Sequence, residues 1–236
     1  MITFFSLAVV QLFDKSFQKM LWISIVASTI TFLVFWLFVG YTLLETELFS
    51  TGWFYGIFDW IFIKITNIFG SILIFVLTWF LFPSIVTLIV TFFLEKVIDA
   101  VEEKHYPNLS KTRPQSMLEI GSITIKFMIL SITLNLLVIP FYLIFFFLGP
   151  LNLFIFYILN GYLLGKEYFE LVAYRRLEPN KANDLFKRYR INVFSVGLIS
   201  ALLMTIPLVN MAAPIISVAA MVHLIQKCNK LNTIEI

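Results

Sequence analysis

Few residues of this chain could do acid–base or nucleophilic chemistry. The two histidines, His105 and His223, belong to no H-E-x-x-H zinc motif. The chain contains no G-x-S-x-G element, Walker A loop or Rossmann fingerprint, and no nucleophile can be paired with a base. An intramembrane enzyme is therefore the weakest of the functional hypotheses. The sequence predicts a protein that is not an enzyme, with no cofactor and no metal site.

Residues that could bind an anion are easier to name. Lys19 supplies a positive charge, and the amides of Asn160 and Asn210 supply neutral hydrogen-bond donors. Helix N-termini just after Pro150 and Pro214 would add partial positive charge, because their first N–H groups have no partner inside the helix. We predict Lys19, Asn160 and Asn210 as substrate-binding residues. Helix capping and interhelical hydrogen bonds are the alternative for the asparagines.

A charged helical face begins where one long apolar segment ends. Glu167, Glu170 and Tyr174 share this face by their i, i+3, i+7 spacing, and Lys166 can pair with Glu170 at i, i+4. We predict that Glu167 and Glu170 form a mouth that gates or couples transport. A solvated, salt-bridged helix end is the alternative.

Two glycines and two arginines flank that face. Gly161 and Gly165 have the small-xxx-small spacing that permits close packing of membrane helices. Arg175 and Arg176 could attract anions or bind anionic lipid at the membrane surface. All four are predicted as gating or interface residues.

These residues must be positioned by elements that lie in lipid. Four stretches carry no formal charge, and about 20 apolar residues already span the hydrocarbon core as a helix. The stretches are Met20–Leu44, Ile65–Leu94, Phe127–Gly165 and Ile191–Gln226. The chain is 60% hydrophobic and only 13% charged, whereas soluble domains hold about 25% charged residues. We predict an all-α integral membrane protein, with residues 1–236 forming a single polytopic domain.

Two of these runs suit single long transmembrane helices. The first is Leu21–Leu44, and the second is Ile65–Leu94 with a possible kink at Pro83. The second helix is predicted to continue as Glu95–Tyr106, with an apolar stripe of Val97, Ile98 and Val101 and a charged face that includes Glu102. The aromatic connector Glu45–Lys64 suits the headgroup level.

The other two runs are interrupted by proline. Pro140 and Gly149–Pro150 divide the third run, and Pro207 and Pro214 divide the fourth into legs of about 16 and 12 residues, too short for a full span. We predict two half-penetrating helical hairpins. Full crossing by Phe127–Gly165, which would give six crossings, stays open.

The orientation follows from lysine and arginine. Seven of these residues lie between Lys166 and Arg190, further clusters lie at Lys15–Lys19 and Lys96–Arg113, and Glu45–Lys64 has one. The positive-inside rule then places both termini in the cytoplasm. Met1–Lys19 is predicted to be an amphipathic helix on the membrane surface, with a partly ordered tail as the alternative.

Two segments carry a resemblance to a known family. Leu159–Ala173 reads L-N-G-Y-L-L-G-K-E-Y-F-E-L-V-A, and Ile206–Pro214 reads I-P-L-V-N-M-A-A-P. Together they resemble the bacterial CysZ sulfate-permease family, which shares its domain with etoposide-induced-protein homologues. The resemblance implies two long membrane helices, two half-penetrating hairpins, a homo-oligomer in the bacterial inner membrane, and uptake of sulfate for cysteine synthesis.

The chain departs from that family at one place. Members that bind sulfate tend to carry a Gly-Leu-Arg element before the first long helix, and the matching place here is Ser16–Lys19, without arginine. Lys19 supplies charge but not the planar fork that holds an oxyanion by two parallel bonds. Our prediction is a transporter or channel for a small inorganic anion, with sulfate first. The alternative is a non-transporting membrane assembly or bilayer-shaping protein that contacts lipid and no nucleic acid.

Overall fold

The structure, a computed structural model, describes residues 2–45, 82, 85–109, 112–206 and 208–234. All regular secondary structure within these ranges is helical, which confirms the predicted all-α class. Residues 46–64 of the predicted connector lie outside the described residues. So do most of the predicted span Ile65–Leu94, including Pro83, and Pro207.

The described helices follow one another in chain order. They are α1 (Ile2–Gln11), α2 (Lys15–Glu45), α3 (Leu94–His105), α4 (Met117–Ile144), α5 (Gly149–Ala173), α6 (Pro179–Arg188), α7 (Arg190–Thr205) and α8 (Val209–Ile234), with residues 85–91 helical before α3. In the described part of the chain, three segments are long and apolar enough to cross a membrane: Lys15–Leu37, Met117–Ile144 and Val209–Asn229.

Helix α8 is the centre of the packing. Every residue from Ile215 to Gln226 is buried, and α1, α3, α5 and α7 all pack against it. A helix that is apolar nearly all round must be surrounded, either by lipid or by other helices. Here other helices cover it, so α8 organises the bundle.

The chain reverses before α8 at a different place from the one we predicted. Helix α7 ends at Thr205 and α8 begins at Val209, with Leu208 at a φ of 67° just before it, and α8 runs unbroken through Pro214. Proline leaves the carbonyl of residue i−4 without its N–H donor. That carbonyl belongs to Asn210, and it accepts a hydrogen bond of 3.3 Å from Thr87 Oγ1. A hydroxyl from a distant segment thus compensates for the missing donor, and the predicted 12-residue leg is too short.

Helix α4 is also longer than we expected. It starts with an N-cap, in which Ser116 Oγ accepts a hydrogen bond of 3.2 Å from the N–H of Glu119. It continues through Pro140 to Ile144, 28 residues in all, so the predicted interruption at Pro140 is wrong. The turn occupies residues 145–148, and Pro150 lies in the first turn of α5, where its missing N–H has no consequence.

The N-terminal segment forms two helices instead of one. A turn at residues 12–14 separates α1 from α2. Phe5 and Ala8 of α1 are buried in the contact with α8, whereas Leu7, Val9 and Val10 on the other face are exposed. Both faces of α1 are therefore apolar, and one of them packs against α8.

Backbone contact joins α5 to α7. A Cβ atom added to Gly197 would lie 1.9 Å from the carbonyl oxygen of Gly161 and 2.4 Å from the nitrogen of Gly165. A Cβ atom on Gly165 would lie 2.7 Å from the carbonyl oxygen of Val193. Small residues allow membrane helices to approach this closely, and the three glycines supply the contact here.

The glycine contact sets the relative depth of the two hairpins. Tyr157 Oη lies 3.1 Å from Thr205 Oγ1, so the end of α7 is level with Tyr157, and α5 extends about 12 Å further to Gly149. Helix α7 is about 24 Å long, less than the roughly 30 Å of the hydrocarbon core, whereas α4 reaches about 42 Å. By length, α4 can cross the hydrocarbon core and α7 cannot, so the turn before α8 is expected to lie less deep in the bilayer than the α4–α5 turn.

Substituting Gly197 with alanine is expected to destabilise the protein by roughly 1–3 kcal/mol. The new methyl group would overlap backbone atoms of α5, which cannot rotate aside. The midpoint of thermal unfolding of the purified protein in detergent measures this. Gly121→Ala is the matched control, because nothing lies within 4 Å of its Cβ position. A Gly197→Ala variant that unfolds with the wild type would contradict the close contact.

Cysteines placed in the two turns should label differently from the periplasm. Phe147 and Leu208 are both exposed at the ends of their hairpins. In a Cys228→Ala background, a membrane-impermeant maleimide is expected to label Phe147→Cys and to leave Leu208→Cys unlabelled until the membrane is dissolved. Equal labelling of both cysteines in intact cells would contradict the difference in depth.

Candidate functional site

A buried ion pair connects the C-terminal end of α5 to α3. Arg176 donates from Nε to Glu102 Oε1 and from Nη2 to Oε2, both at 2.7 Å, and the two side chains are only 14% and 7% exposed. Gln226 of α8 contacts Glu102 Oε1 at 3.5 Å. This bidentate geometry is the strong form of the arginine–carboxylate pair. The prediction that Glu102 lies on the solvated face of α3 is wrong, since Glu102 joins three helices.

The neighbouring arginines, Arg175 and Arg113, are also paired with carboxylates. Arg175 donates to Asp99 Oδ1 at 2.5 Å and to the carbonyl oxygen of Glu95 at 3.3 Å. Arg113 binds both carboxylate oxygens of Glu119, and its backbone N–H donates to the carbonyl oxygen of Arg175 at 2.8 Å. The guanidinium groups of Arg175 and Arg176 are thus already neutralised by carboxylates of α3.

A cavity of about 250 Å³ lies between α4 and the charged end of α5. Glu167, Glu170 and Arg175, three of the residues predicted to gate or couple transport, line it together with Glu95. Lys166 forms an ion pair with Glu170 at the predicted i, i+4 spacing. The opposite wall comes from apolar residues of α4 and from Thr124. The cavity is therefore amphipathic and has an acidic lining.

Glu167 can exchange a proton in this cavity. Burial, and then the nearby carboxylate of Glu170, raise the pKa of Glu167 above its ordinary value of 4.5. Burial and the same carboxylate also raise the pKa of Tyr174 to about 12, so its phenol keeps its proton. The negative charge of the cavity consequently decreases as the pH falls through the range in which Glu167 titrates.

The predicted substrate-binding residues lie on three different helices. Lys19 is exposed on α2. The side-chain amide of Asn160 donates to the carbonyl oxygen of Phe156 in its own helix at 2.9 Å. Asn210 lies in the first turn of α8, and its Oδ1 is buried without a hydrogen-bond partner among the described residues. No hydrogen bond in the described ranges joins any two of the three. Because Pro214 lies inside α8, the helix N-terminus predicted there is at Val209 instead.

A second polar cavity, of about 370 Å³, lies at the start of α2. Asp14, Ser16, Glu103 and Lys104 line it. Lys104 Nζ donates to both carboxylate oxygens of Asp14, at 2.8 and 2.7 Å, so its charge is balanced. The cavity therefore presents two carboxylates and one ammonium group, next to the segment that includes Lys19.

A buried histidine network was missed at the sequence level. His223 is only 2% exposed in α8. Its Nδ1 lies 2.8 Å from Tyr106 Oη and its Nε2 lies 3.2 Å from Gln11 Nε2. The network joins α8 to α1 and to the residue after α3. The small and apolar residues that surround His223 in the sequence were the available signal for its burial.

The family comparison decides what this bundle is. A family model described as sulfate transporter CysZ/Etoposide-induced protein 2.4 matches residues 4–214. The chain belongs to this family. No curated protein and no solved structure matches it. The match confirms the resemblance carried by Leu159–Ala173 and Ile206–Pro214.

The family match gives the α2 cavity its significance. The sulfate transporter CysZ family is a transporter family, and its segment before the first long helix is the place where the resemblance leads us to expect an arginine. In this CysZ-family chain that segment adjoins Asp14, Glu103 and the neutralised Lys104. Lys19 is the cation of the segment closest to the matching position in the sequence.

Replacing Glu167 with glutamine should stabilise the protein only at high pH. Below about pH 4, the carboxyl group is protonated in both folded and unfolded states, so the substitution removes no charge. As the pH rises, the unfolded state ionises first, and the folded state then bears the cost of a buried charge. We expect Glu167→Gln to unfold at a higher temperature than the wild type near pH 8 and at the same temperature near pH 4.

A Glu167→Gln curve parallel to that of the wild type over the whole pH range would show that Glu167 is solvated.

Proposed function

We propose that this member of the CysZ family transports a small inorganic anion, with sulfate as the first substrate to test, into the bacterial cytoplasm for cysteine synthesis. The observation that carries the proposal is the family match over residues 4–214. The membrane-length helices α2, α4 and α8 support it, because transport requires a polytopic membrane body.

Lys19 remains the proposed anion contact, and several other cations of the described residues are already paired. The arginines at the end of α5 are engaged by Asp99 and Glu102, and Lys104 is engaged by Asp14. Lys19 is exposed, and no ion pair to it is present within the described ranges. Lys15, the first residue of α2, is also exposed, so an anion approaching the start of α2 meets the ammonium groups of both Lys15 and Lys19.

The acidic cavity beside Glu167 supplies a gate for this path. Glu170 is paired with Lys166, so an ionised Glu167 adds a negative charge to that of Glu95 and repels an approaching anion, whereas the protonated form does not. The raised pKa of Glu167 brings its proton exchange closer to physiological pH. Transport in this scheme increases as the pH on the side of the cavity falls.

The proposed orientation places the termini in the cytoplasm of a multi-pass inner-membrane protein. Three basic segments of the sequence meet at one end of the bundle: Lys104 pairs with Asp14, and the N–H of Arg113 donates to the carbonyl of Arg175. Their convergence on one face supports the positive-inside orientation.

A non-transporting role in membrane assembly is the second candidate. Helix α4 favours it, because none of its 28 residues is buried and its surface is largely apolar. Such a helix offers a large surface to lipid or to a second copy of the chain, in keeping with the proposed homo-oligomer. In this role the carboxylates of Asp14 and Glu103, which line the cavity at the start of α2, would have no transported anion to repel.

Uptake of radiolabelled sulfate by liposomes containing the purified protein tests the two candidates. We expect uptake above that of empty liposomes, and a decrease of about tenfold in Lys19→Ala, since a charge-assisted hydrogen bond contributes about 1.5–3 kcal/mol. Lys96→Ala is the matched control, because Lys96 is also an exposed lysine but lies on α3 and its Nζ is 5.3 Å from the centre of the Phe93 ring.

The outcomes separate the candidates. Uptake equal to that of empty liposomes across sulfate, phosphate and chloride would favour the assembly role. If uptake falls equally in Lys19→Ala and Lys96→Ala, the protein is a transporter but Lys19 is not the specific anion contact.

A further inference from the structure

A third cavity lies where α6 meets the start of α7. Its volume is about 470 Å³, within the range of about 300–1,000 Å³ typical of small-molecule sites. Most of its wall is apolar and comes from Tyr162, Phe186, Ile191 and Phe194. Two cations, Lys187 and Arg190, complete the lining. The cavity thus combines an apolar wall with a positively charged rim.

The positive charge of this rim is not neutralised by the protein. Arg190 is exposed, and its guanidinium group has no hydrogen-bond or ion-pair partner among the described residues. Lys187 has Asp184 nearby, but at 4.0 Å and with both side chains about four-fifths exposed, where such a pair contributes little. The arginines at the end of α5 differ in this respect, because each is bound to a carboxylate.

The backbone adds further positive potential. Helix α7 begins at Arg190 and has 16 residues, so its unpaired first N–H groups face the same region as the guanidinium group. Ile191 and Val193 in that first turn also line the cavity. A bound anionic group would therefore be held by two side chains and by a helix terminus.

The position of the cavity fits the boundary between headgroups and acyl chains. Helix α6 is polar and short, whereas Ile191, the first apolar residue of α7, is 72% exposed. Leu202, further along α7, and Ile158 on the neighbouring α5 are also exposed, as expected of lipid-facing residues. A ligand in this cavity would place its charge among the cations and its apolar part along α7.

We propose that the α6–α7 cavity is a binding site for an anionic glycerophospholipid. The phosphate group contacts Lys187, Arg190 and the N-terminus of α7, and the first part of an acyl chain lies against Phe194 and Ile191. Charge complementarity and the apolar wall together select this ligand over a free anion, which would leave the wall uncovered. Basic pockets beside membrane helices are suited to such headgroups. The site does not depend on the transport function.

Native mass spectrometry of the full-length protein in detergent tests the site. The protein is supplied with equal amounts of phosphatidylglycerol and phosphatidylcholine, and the bound lipids are counted. We expect the wild type to retain phosphatidylglycerol preferentially. The double variant Lys187→Gln/Arg190→Gln should lose roughly tenfold in that preference.

Two further variants control for net charge and for folding. Lys96→Gln/Lys181→Gln removes the same charge from exposed lysines outside the cavity lining and should keep the preference. Lys187→Arg/Arg190→Lys retains both cations and should keep it as well. The unfolding temperature of each variant is measured as well, and lipid retention is compared among variants that unfold at the same temperature as the wild type.

Three results would overturn the proposal. The first is a Lys187→Gln/Arg190→Gln variant that retains phosphatidylglycerol as well as the wild type. The second is an equal loss in the Lys96→Gln/Lys181→Gln variant, which would show that net charge alone attracts the lipid. The third is complete displacement of the lipid by inorganic phosphate, which would identify a free-anion site.

Discussion

The backbone contact between α5 and α7 is the constraint on which most of this structure depends. In lipid, no hydrophobic driving force brings helices together, so association relies on van der Waals packing and on interhelical hydrogen bonds. Gly161, Gly165 and Gly197 remove the side chains that would hold the two helices apart. Because the contact fixes the register of α5 against α7, it also fixes the depth of the turn after Thr205 and the position of α6, and with them the α6–α7 cavity.

Pairing of charges is the second organising feature, and it divides the basic residues into two classes. An unpaired charge taken out of water costs several kcal/mol, and accordingly Arg176, Arg175 and Arg113 are each bound to a carboxylate. These cations hold helices together and have little capacity for an additional anion. Lys19 and Arg190 are among the exposed cations that form no ion pair within the described residues, so they can meet a substrate or a lipid.

The prolines show how far local sequence reasoning extends. A proline inside an apolar run predicts a break because one N–H is missing. At Pro214 the helix continues, since Thr87, 123 positions from Asn210, donates to the carbonyl that proline leaves without a partner. At Pro140 the helix continues as well. Because the helices continue through both prolines, they are longer than predicted and can reach further into the bilayer. By contrast, the N-cap serine, Ser116, is a local signal that marks the start of α4.

The sequence by itself determined the class of protein, the helical content and the family, because uncharged runs, capping residues and short motifs are properties of neighbouring positions. It also supplied the glycine spacing and the i, i+4 pair of Lys166 with Glu170. Only the tertiary structure decided which polar residues are buried. Glu102 and His223 have no local signature of burial strong enough to outweigh their polarity, and both are buried because partners from distant helices satisfy them: Arg176 for Glu102, and Gln11 and Tyr106 for His223. A partner that lies 70 or more positions away becomes a neighbour only when the helices pack.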